Sequence, residues 1–199
     1  MEIVLSTRNR SKIEQIKAVF SGLDIEVLSL EEAKVIGEGV EDGTTLEENA
    51  LKKAVFGQKQ TDKWCIADDT GLFIDALGGQ PGIYAARWAG KDVTTEFTRD
   101  FTLKKLEGVS LPKRTATFET VAAVVSPIGE HKFFSGKIKG KILLQPRTEC
   151  QPNMPYSGIF MPDGYDKVWA EMGVEEENKI SHRGKAFRQV RDFFAEMLL

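Results

Sequence analysis

Two adjacent acidic residues give the first indication of chemistry in this sequence. Asp68 and Asp69 follow the apolar segment 64–67, which is predicted to be a strand, and Thr70 and Gly71 come directly after them. Carboxylates are costly to bury unless they are paired or bind a metal. Mg²⁺ prefers one or two carboxylates together with waters and substrate phosphates. The segment therefore predicts a metal-assisted phosphate site, with a solvated turn at the end of a strand as the alternative.

The spacing of the two acids limits how they can work together. Adjacent residues on a strand point to opposite faces, so Asp68 and Asp69 can face one ion only if the strand bends. Gly71 would permit such a bend, and we therefore expect two short strands, 64–67 and 72–74, around the acidic pair. One carboxylate would bind the metal, and the other would activate water or anchor the loop. A carboxylate beside Mg²⁺ stays ionised, so it can also accept a proton from water.

A second group of polar residues lies where the first predicted strand, 2–6, meets the first predicted helix. Thr7 and Asn9 precede the helix, and Lys12 lies in its first turn. Backbone N–H groups at a helix N-terminus attract anions, and the lysine adds a positive charge. The junction predicts a phosphate-binding site. An ordinary helix cap is the alternative, because the glycine-rich pattern of a phosphate-binding loop is absent.

Acidic residues also precede the second predicted helix. Thr45 and Glu48 match a capping box, so we expect a helix to begin after Thr45. Glu41 lies just before it and could reach a metal, whereas Glu48 is expected to close the cap. The alternative for this segment is a solvated helix start.

The last helix is preceded by a segment rich in hydrogen-bond donors. Ser181 is a natural N-cap, and His182 and Arg183 would then lie in the first turn. Their N–H groups could contact a keto oxygen or a phosphate. A surface pair is the alternative.

Composition excludes several classes of function. The chain has 199 residues, of which 41% are hydrophobic and 29% charged, which is typical of one globular domain covering 1–199. The net charge is −3 and the basic residues are scattered, which argues against a partner nucleic acid. Two cysteines and two distant histidines predict neither a disulfide framework nor a zinc site. We find no signal peptide or long apolar run, so we expect a cytoplasmic protein without membrane association.

The hydrophobic pattern predicts an α/β fold with a mixed, curved sheet, flanking helices, and two lobes with a cleft between them. The expected strands are 2–6, 25–28, 64–67, 72–74, 115–125 and 130–144. The expected helices begin after Asn9 and Thr45, cover 94–106, and run from about 184 to the C-terminus. Residues 145–164, with four prolines, are expected to be irregular.

Together these segments resemble the inosine triphosphate pyrophosphatase family, whose members hydrolyse deaminated purine nucleoside triphosphates. The resemblance covers nearly the whole chain. The motifs that carry it include Thr7-x-Asn9-x-x-Lys12, Glu41-Asp42-Gly43, Ala67-Asp68-Asp69-Thr70-Gly71-Leu72, Ala76-Leu77-Gly78-Gly79-x-Pro81-Gly82 and Ile180-Ser181-His182-Arg183. The resemblance implies an elongated α/β fold with two lobes around a central cleft, and a homodimer. It also implies Mg²⁺-dependent hydrolysis of ITP, dITP or XTP to the monophosphate and pyrophosphate, which cleanses the nucleotide pool.

The resemblance further implies a role for each matching residue. Asp69 would be the catalytic carboxylate that orients or deprotonates water, and Glu41, Asp69 and Asp68 would hold Mg²⁺. The residues expected to bind the substrate are Thr7, Asn9, Lys12 and Thr70 on the phosphate side, and Tyr156, Ser157, Lys179, His182 and Arg183 on the base side.

The chain departs from the family pattern where the base should bind. Met154 stands where the family has a stacking aromatic residue, Ser157 where it has an aspartate, and Glu177 where it has a lysine, with Lys179 two residues further on. A mismatched buried donor can shift base discrimination strongly. One alternative is therefore a pyrophosphohydrolase with altered or relaxed base selectivity. Others are an inactive nucleotide-binding protein and a related pyrophosphatase acting on modified pyrimidines, dTTP or UTP.

Overall fold

The computed structural model describes residues 1–90 and 92–198. Its strands are β1 (Glu2–Leu5), β2 (Glu26–Ser29), β3 (Trp64–Ile74), β4 (Pro81–Gly82), β5 (Thr115–Val125), β6 (His131–Ile142) and β7 (Phe160–Pro162). Its helices are α1 (Arg10–Val19), α2 (Leu46–Thr61), α3 (Thr95–Lys105), α4 (Val174–Ile180) and α5 (His182–Met197). Among these described residues, no helix is both long enough and apolar enough to cross a membrane.

The strands form one mixed sheet in the order β2-β1-β3-β5-β6-β7, with β4 also paired to β3. β1 is parallel to both β2 and β3. The pairs β3–β5, β5–β6 and β6–β7 are antiparallel. The α/β class and the mixed sheet predicted from the sequence are confirmed. The hairpin of β5 and β6 also lies within one or two residues of its predicted bounds.

The strand β3 is central to the site because two short strands share one of its edges. β1 pairs with residues 64–66 of β3, and β4 pairs with residues 72 and 73. Between them, residues 67–71 pair with β5 alone among the described strands. This segment contains Asp68, Asp69 and Thr70, and it begins where the pairing with β1 ends. The fold therefore brings these side chains next to the junction between β1 and α1.

Helices cover the two faces of the sheet, and the alternation of side chains along the strands separates their cores. On one face α1 and α5 pack on the sheet. The buried residues there include Ile3, Ile16, Ile66, Ala122, Val124, Phe187, Val190 and Phe194. On the other face α2 packs through Ala50 and Ala54 against Ala67, Ala123 and Val125. The small alanine side chains let α2 lie close to the strand that carries the acidic pair.

The expectation of two short strands around the acidic pair is wrong, because β3 runs unbroken through Asp68 and Asp69. Gly71 does not bend the strand, and its lack of a side chain instead allows Phe73 and Gly82 to lie close to its backbone. A Cβ atom there would lie 2.8 Å from the ring of Phe73 and 3.1 Å from the carbonyl oxygen of Gly82. Gly71 thus makes room for β4 to pair with β3.

Three elements, β4, β7 and α4, were missed, and the bounds of two helices, α5 and α1, differ from the prediction. Residues 145–164 contain the short strand β7, and α4 precedes the last helix. The helix α5 begins at His182 rather than near 184, with Ser181 as its N-cap as predicted. The helix α1 ends at Val19, before Gly22. At the start of α2 the Thr45 hydroxyl accepts from the N–H of Glu48, but the Glu48 carboxylate closes on Thr44.

Candidate active site

A cleft of about 740 Å³ lies next to the C-terminal end of β1. Its wall combines the β1–α1 junction, the segment before α2, the middle of β3, the loop before β7 and the start of α5. The residues predicted for the site that line this cleft are Thr7, Asn9, Lys12, Glu41, Asp69, Thr70, Tyr156, Ser157, His182 and Arg183. The structure does not bring the other two to the wall. Asp68 is buried behind Lys12, and Lys179 is exposed on α4 outside the cleft.

Asp68 faces α1 and α5, where it pairs with two cations. One of its carboxylate oxygens, Oδ2, accepts a hydrogen bond from Lys12 Nζ at 2.9 Å and lies 3.5 Å from Arg183 Nε. The side chain is fully buried, which by itself would raise its pKa, but Lys12 and Arg183 together hold the pKa well below its usual value. Asp68 is therefore an ionised counter-ion that keeps two positive groups side by side at the cleft.

Thr70 lies on the same face of β3 as Asp68. Its hydroxyl donates to Asp68 Oδ2 at 3.3 Å and lies 2.7 Å from the hydroxyl of Thr120 on the neighbouring strand. The threonine thus links the buried carboxylate to the cleft wall, where Thr70 itself is partly exposed.

Asp69 points to the opposite face, toward α2. Its Oδ2 accepts from the side-chain amide of Asn49 at 3.1 Å, and its Oδ1 accepts from Lys53 Nζ at 3.2 Å. Burial raises the pKa of Asp69 above its usual value, although Lys53 opposes that shift. A carboxylate of raised pKa at the wall of a cleft is suited to accept a proton from a water molecule.

Lys53 connects Asp69 to Glu41. Its ammonium group donates to Glu41 Oε1 at 2.6 Å as well as to Asp69, and Arg87 donates to the other Glu41 oxygen at 3.2 Å. Burial lowers the pKa of Lys53, but the surrounding carboxylates raise it more, so the lysine stays charged. Glu41 and Asp69 therefore converge on one positive group.

This donor set fits Mg²⁺ only in part. The carboxylates of Glu41 and Asp69 both lie next to Lys53 Nζ, and oxygen ligands are the ones that Mg²⁺ prefers. In the described part of the chain, no group of three or more histidine, cysteine, aspartate or glutamate residues is placed to hold a metal. The protein thus offers up to two carboxylates, and a bound Mg²⁺ would need the remaining ligands from water and from the phosphates of a substrate.

The junction between β1 and α1, which the sequence predicts to bind phosphate, is also a helix cap. The Asn9 side chain accepts from the N–H of Lys12 at 3.2 Å and so caps α1, while the Thr7 hydroxyl accepts from the N–H of Asn9 at 3.3 Å. The structure thus contains the helix cap, and the same residues line the cleft. The N-terminal end of α1, with its partial positive charge, therefore faces the cleft next to Lys12.

The other end of the cleft is aromatic. The rings of Phe118 and His182 are stacked with centroids 4.7 Å apart, and Trp169 lies beside His182. Burial, together with the charge of Arg183, lowers the pKa of His182 well below its usual value, so the imidazole is neutral. Flat, apolar walls with a few polar groups suit a planar ring ligand.

Tyr156 and Ser157 hold the loop before β7 in place. The Tyr156 hydroxyl donates to the Ala85 carbonyl at 2.7 Å, and the Ser157 hydroxyl donates to the Met154 carbonyl at 2.7 Å. Both residues are buried, so they support this wall of the cleft as well as line it.

Sequence reasoning gave no site role to Asn49, Lys53 or Arg87. Asn49 and Lys53 are four residues apart on α2, so they share one face of the helix with the alanines that pack on the sheet. Polar residues in such an apolar stripe are the signal that would have identified them. Arg87 follows the glycine-rich turn, and no spacing rule predicts its contact with Glu41.

Comparisons with known proteins show which family this chain belongs to. The sequence model of the Ham1 family matches residues 3–193. A dITP/XTP pyrophosphatase of Thermoanaerobacter pseudethanolicus is 42% identical over 198 residues, which cover 100% of this chain and 98% of that protein. A protein of the same description from Bacillus anthracis is 38% identical over 200 residues, which cover 100% and 98%.

Solved structures lead to the same family. The Staphylococcus aureus Ham1 protein superposes with a TM-score of 0.84 at 34% identity, covering 99% of this chain and 100% of that one. A HAM1 protein from Coxiella burnetii gives a TM-score of 0.86 at 32% identity, covering 98% and 99%. The family resemblance expected from the motifs is thereby confirmed, and this chain belongs to the Ham1 family.

Proposed function

We propose that this chain hydrolyses the triphosphates of deaminated purine nucleosides, dITP, ITP and XTP, to the monophosphate and pyrophosphate. The relatives described as dITP/XTP pyrophosphatases match it over its full length at 38–42% identity. The observation that carries the proposal is the arrangement around β3. Two cations are held by Asp68 on one face, a carboxylate of raised pKa lies on the other, and an aromatic recess lies in the same cleft.

Each part of the cleft has a role in this reaction. Lys12 and the N-terminus of α1, with Thr7, Asn9 and Thr70, bind the phosphates, because positioning and charge neutralisation dominate phosphoryl transfer. Asp69 orients the attacking water and accepts its proton as the anhydride bond between the α- and β-phosphates breaks. Glu41 and Asp69 would hold Mg²⁺, which neutralises phosphate charge when bound. His182 and Arg183 contact the base, with Tyr156 and Ser157 supporting the pocket wall.

The proposal is tested by pyrophosphate release from a panel of nucleoside triphosphates with Mg²⁺. We expect dITP, ITP and XTP to be cleaved well above ATP, GTP, CTP and UTP, and EDTA to abolish release until Mg²⁺ is restored. Asp69→Asn should lower turnover by about 10²- to 10⁴-fold while sparing nucleotide binding. Absence of pyrophosphate from every triphosphate would refute the activity. Equal rates across the panel would refute the substrate class and leave a relaxed pyrophosphohydrolase.

The same proposal includes one domain over 1–199, a homodimer and a cytoplasmic location. One sheet joins β1 to β7, which supports a single folding unit. Ile36 and Val40 are exposed just before α2, and exposed apolar residues are frequent at interfaces between subunits. Two free cysteines fit a reducing compartment. Light scattering during gel filtration would report the mass in solution, and a monomer mass would refute the dimer.

A further inference from the structure

Buried polar atoms without a protein partner are concentrated at the aromatic end of the cleft. Six such side-chain atoms occur among the described residues, and four belong to residues of the cleft wall. Those four are Trp169 Nε1, Glu177 Oε2, His182 Nδ1 and Arg183 Nε, of which Arg183 Nε has no hydrogen bond but lies 3.5 Å from Asp68 Oδ2 in an ion pair. Native proteins leave few buried polar groups unpaired. Their concentration here indicates that a ligand supplies hydrogen bonds at this end of the cleft.

Glu177 is the acidic member of this group. Its residue surface is 2% exposed, it lies in α4, and its Oε2 has no hydrogen-bond partner among residues 1–90 and 92–198. Burial raises the pKa of Glu177, opposed by the charge of Arg183 and by the side-chain amides of Gln15 and Gln151, which lie close to the carboxyl group. In either protonation state, one carboxyl oxygen can accept a hydrogen bond. Leaving that acceptor unpaired in a buried site is unfavourable, so a ligand that offers a hydrogen there gains affinity.

The other groups at this end include strong donors. Arg183 carries only N–H donors, and one of them, Nη1, already donates to Gln15. Trp169 offers a single N–H donor. The recess therefore presents the carboxyl acceptor of Glu177 beside the N–H donors of Trp169 and Arg183, and the neutral His182 imidazole can donate or accept at Nδ1. The edge of a 6-oxopurine is complementary to this set, because N1–H is a donor and the adjacent O6 is an acceptor. Adenine presents the reverse arrangement, with an acceptor at N1 and a donor at the 6-amino group.

We infer that the carboxyl group of Glu177 accepts the N1–H of a 6-oxopurine base in this cleft, and that it thereby helps to separate such bases from adenine. This inference rests on the proposed function and assigns a specificity-determining residue within it. Guanine shares the N1–H and O6 pair, so the contact selects 6-oxopurines as a class. Discrimination between hypoxanthine and guanine has to come from other contacts of the base.

The test compares ITP with 1-methyl-ITP, in which the N1 hydrogen is replaced by a methyl group. Both are assayed with the wild type, Glu177→Leu, which has no acceptor, and Glu177→Gln, which keeps a carbonyl acceptor. Glu175→Gln is the matched control, because Glu175 is exposed on the same helix. Thermal unfolding of each variant shows that it is folded.

We expect the wild type to prefer ITP to 1-methyl-ITP by about 10- to 100-fold in kcat/KM, the effect of one buried hydrogen bond. This ratio should fall to near one in Glu177→Leu, persist in Glu177→Gln, and remain at the wild-type value in Glu175→Gln. The ratio of ITP to ATP should fall in Glu177→Leu as well.

Other outcomes separate this inference from the proposed function. If Glu177→Leu keeps the wild-type ratio, the methyl group is rejected by shape and the inference is overturned. An equal fall of kcat/KM for all substrates in Glu177→Leu would likewise overturn the inference, because it would show that Glu177 has only a structural role. If the wild type cleaves no triphosphate, the proposed function fails. Calorimetric binding of IMP and 1-methyl-IMP then gives the same ratio, and equal affinities would overturn the inference.

Discussion

The two adjacent aspartates should respond in opposite ways to the same isosteric substitution. Asp68→Asn removes the one carboxylate that, among the described residues, pairs with both Lys12 and Arg183, at 2.9 and 3.5 Å, and it leaves two cations side by side. Their side chains are 17% and 7% exposed, so water screens them little. Breaking a buried ion pair by removing one partner costs about 3–5 kcal/mol. At roughly 2–4 °C per kcal/mol for a chain of this size, the lower value predicts a fall in Tm of about 6–12 °C.

Asp69→Asn should have little effect on stability. Because burial raises the pKa of Asp69, its charged form is disfavoured in the folded state, and a neutral amide relieves that cost. Lys53 keeps its ion pair with Glu41 at 2.6 Å in this variant. We expect the free energy of unfolding to change by less than about 1 kcal/mol. Turnover should nevertheless fall by about 10²- to 10⁴-fold, because the proton acceptor is lost.

The assay is thermal unfolding of both variants in one buffer without nucleotide, followed by pyrophosphate release from ITP. The reasoning requires a large fall in Tm for Asp68→Asn and a nearly unchanged Tm for Asp69→Asn. Equal losses of Tm in the two variants would refute it, because the two faces of β3 would then not differ. A wild-type Tm for Asp68→Asn would show that Asp68 is not the counter-ion of Lys12 and Arg183.

Three further predictions concern the same region. The folded-state pKa of Asp68 is depressed, so its contribution to the free energy of unfolding is complete above the ordinary pKa of 3.8 and is lost as the pH falls below that value. The fall of Tm with decreasing pH should therefore be steeper for the wild type than for Asp68→Asn. Lys12→Met should lower kcat/KM for ITP by about 10- to 100-fold through lost phosphate binding, and a rate within threefold of wild type would contradict this. Gly184→Ala should lower Tm, since its Cβ would lie 1.9 Å from the Asn178 carbonyl oxygen, whereas the control Gly173→Ala meets nothing within 4 Å.

The sequence predicted the elements whose signals are local. The strand 115–125 and the cap of α5 at Ser181 needed only β-branched residues and a hydroxyl before a helix. The continuity of β3 could not be predicted in this way. Two adjacent acids oppose a buried strand unless cations reach them, and Lys12 reaches Asp68 from 56 residues away in the sequence. Such partners become apparent only once the fold is known.

The prediction for Lys179 shows the same limit on the other side of the cleft. Lys179 was assigned to the substrate because it is two residues from Glu177. Both residues lie in α4, a short helix that the acidic sequence did not predict. Residues two apart on a helix do not face the same way, so Glu177 is buried at the cleft and Lys179 is exposed. Its position near Glu177 in the sequence did not indicate which face of the helix Lys179 lies on, because the helix itself was not predicted.

Under the proposed function, the alternation of β3 would let one short segment both support polyanion binding and accept a proton. A lysine that binds phosphate lowers the pKa of any carboxylate near it, and Lys12 does act on Asp69 in this sense. Asp68 pairs with Lys12 directly, while Asp69 on the opposite face keeps a raised pKa through burial. The strand thus places the counter-ion and the proton acceptor on adjacent residues but on different faces. Inserting one residue between them would put both on one face, so we expect an inserted glycine to abolish turnover even in a variant that still folds.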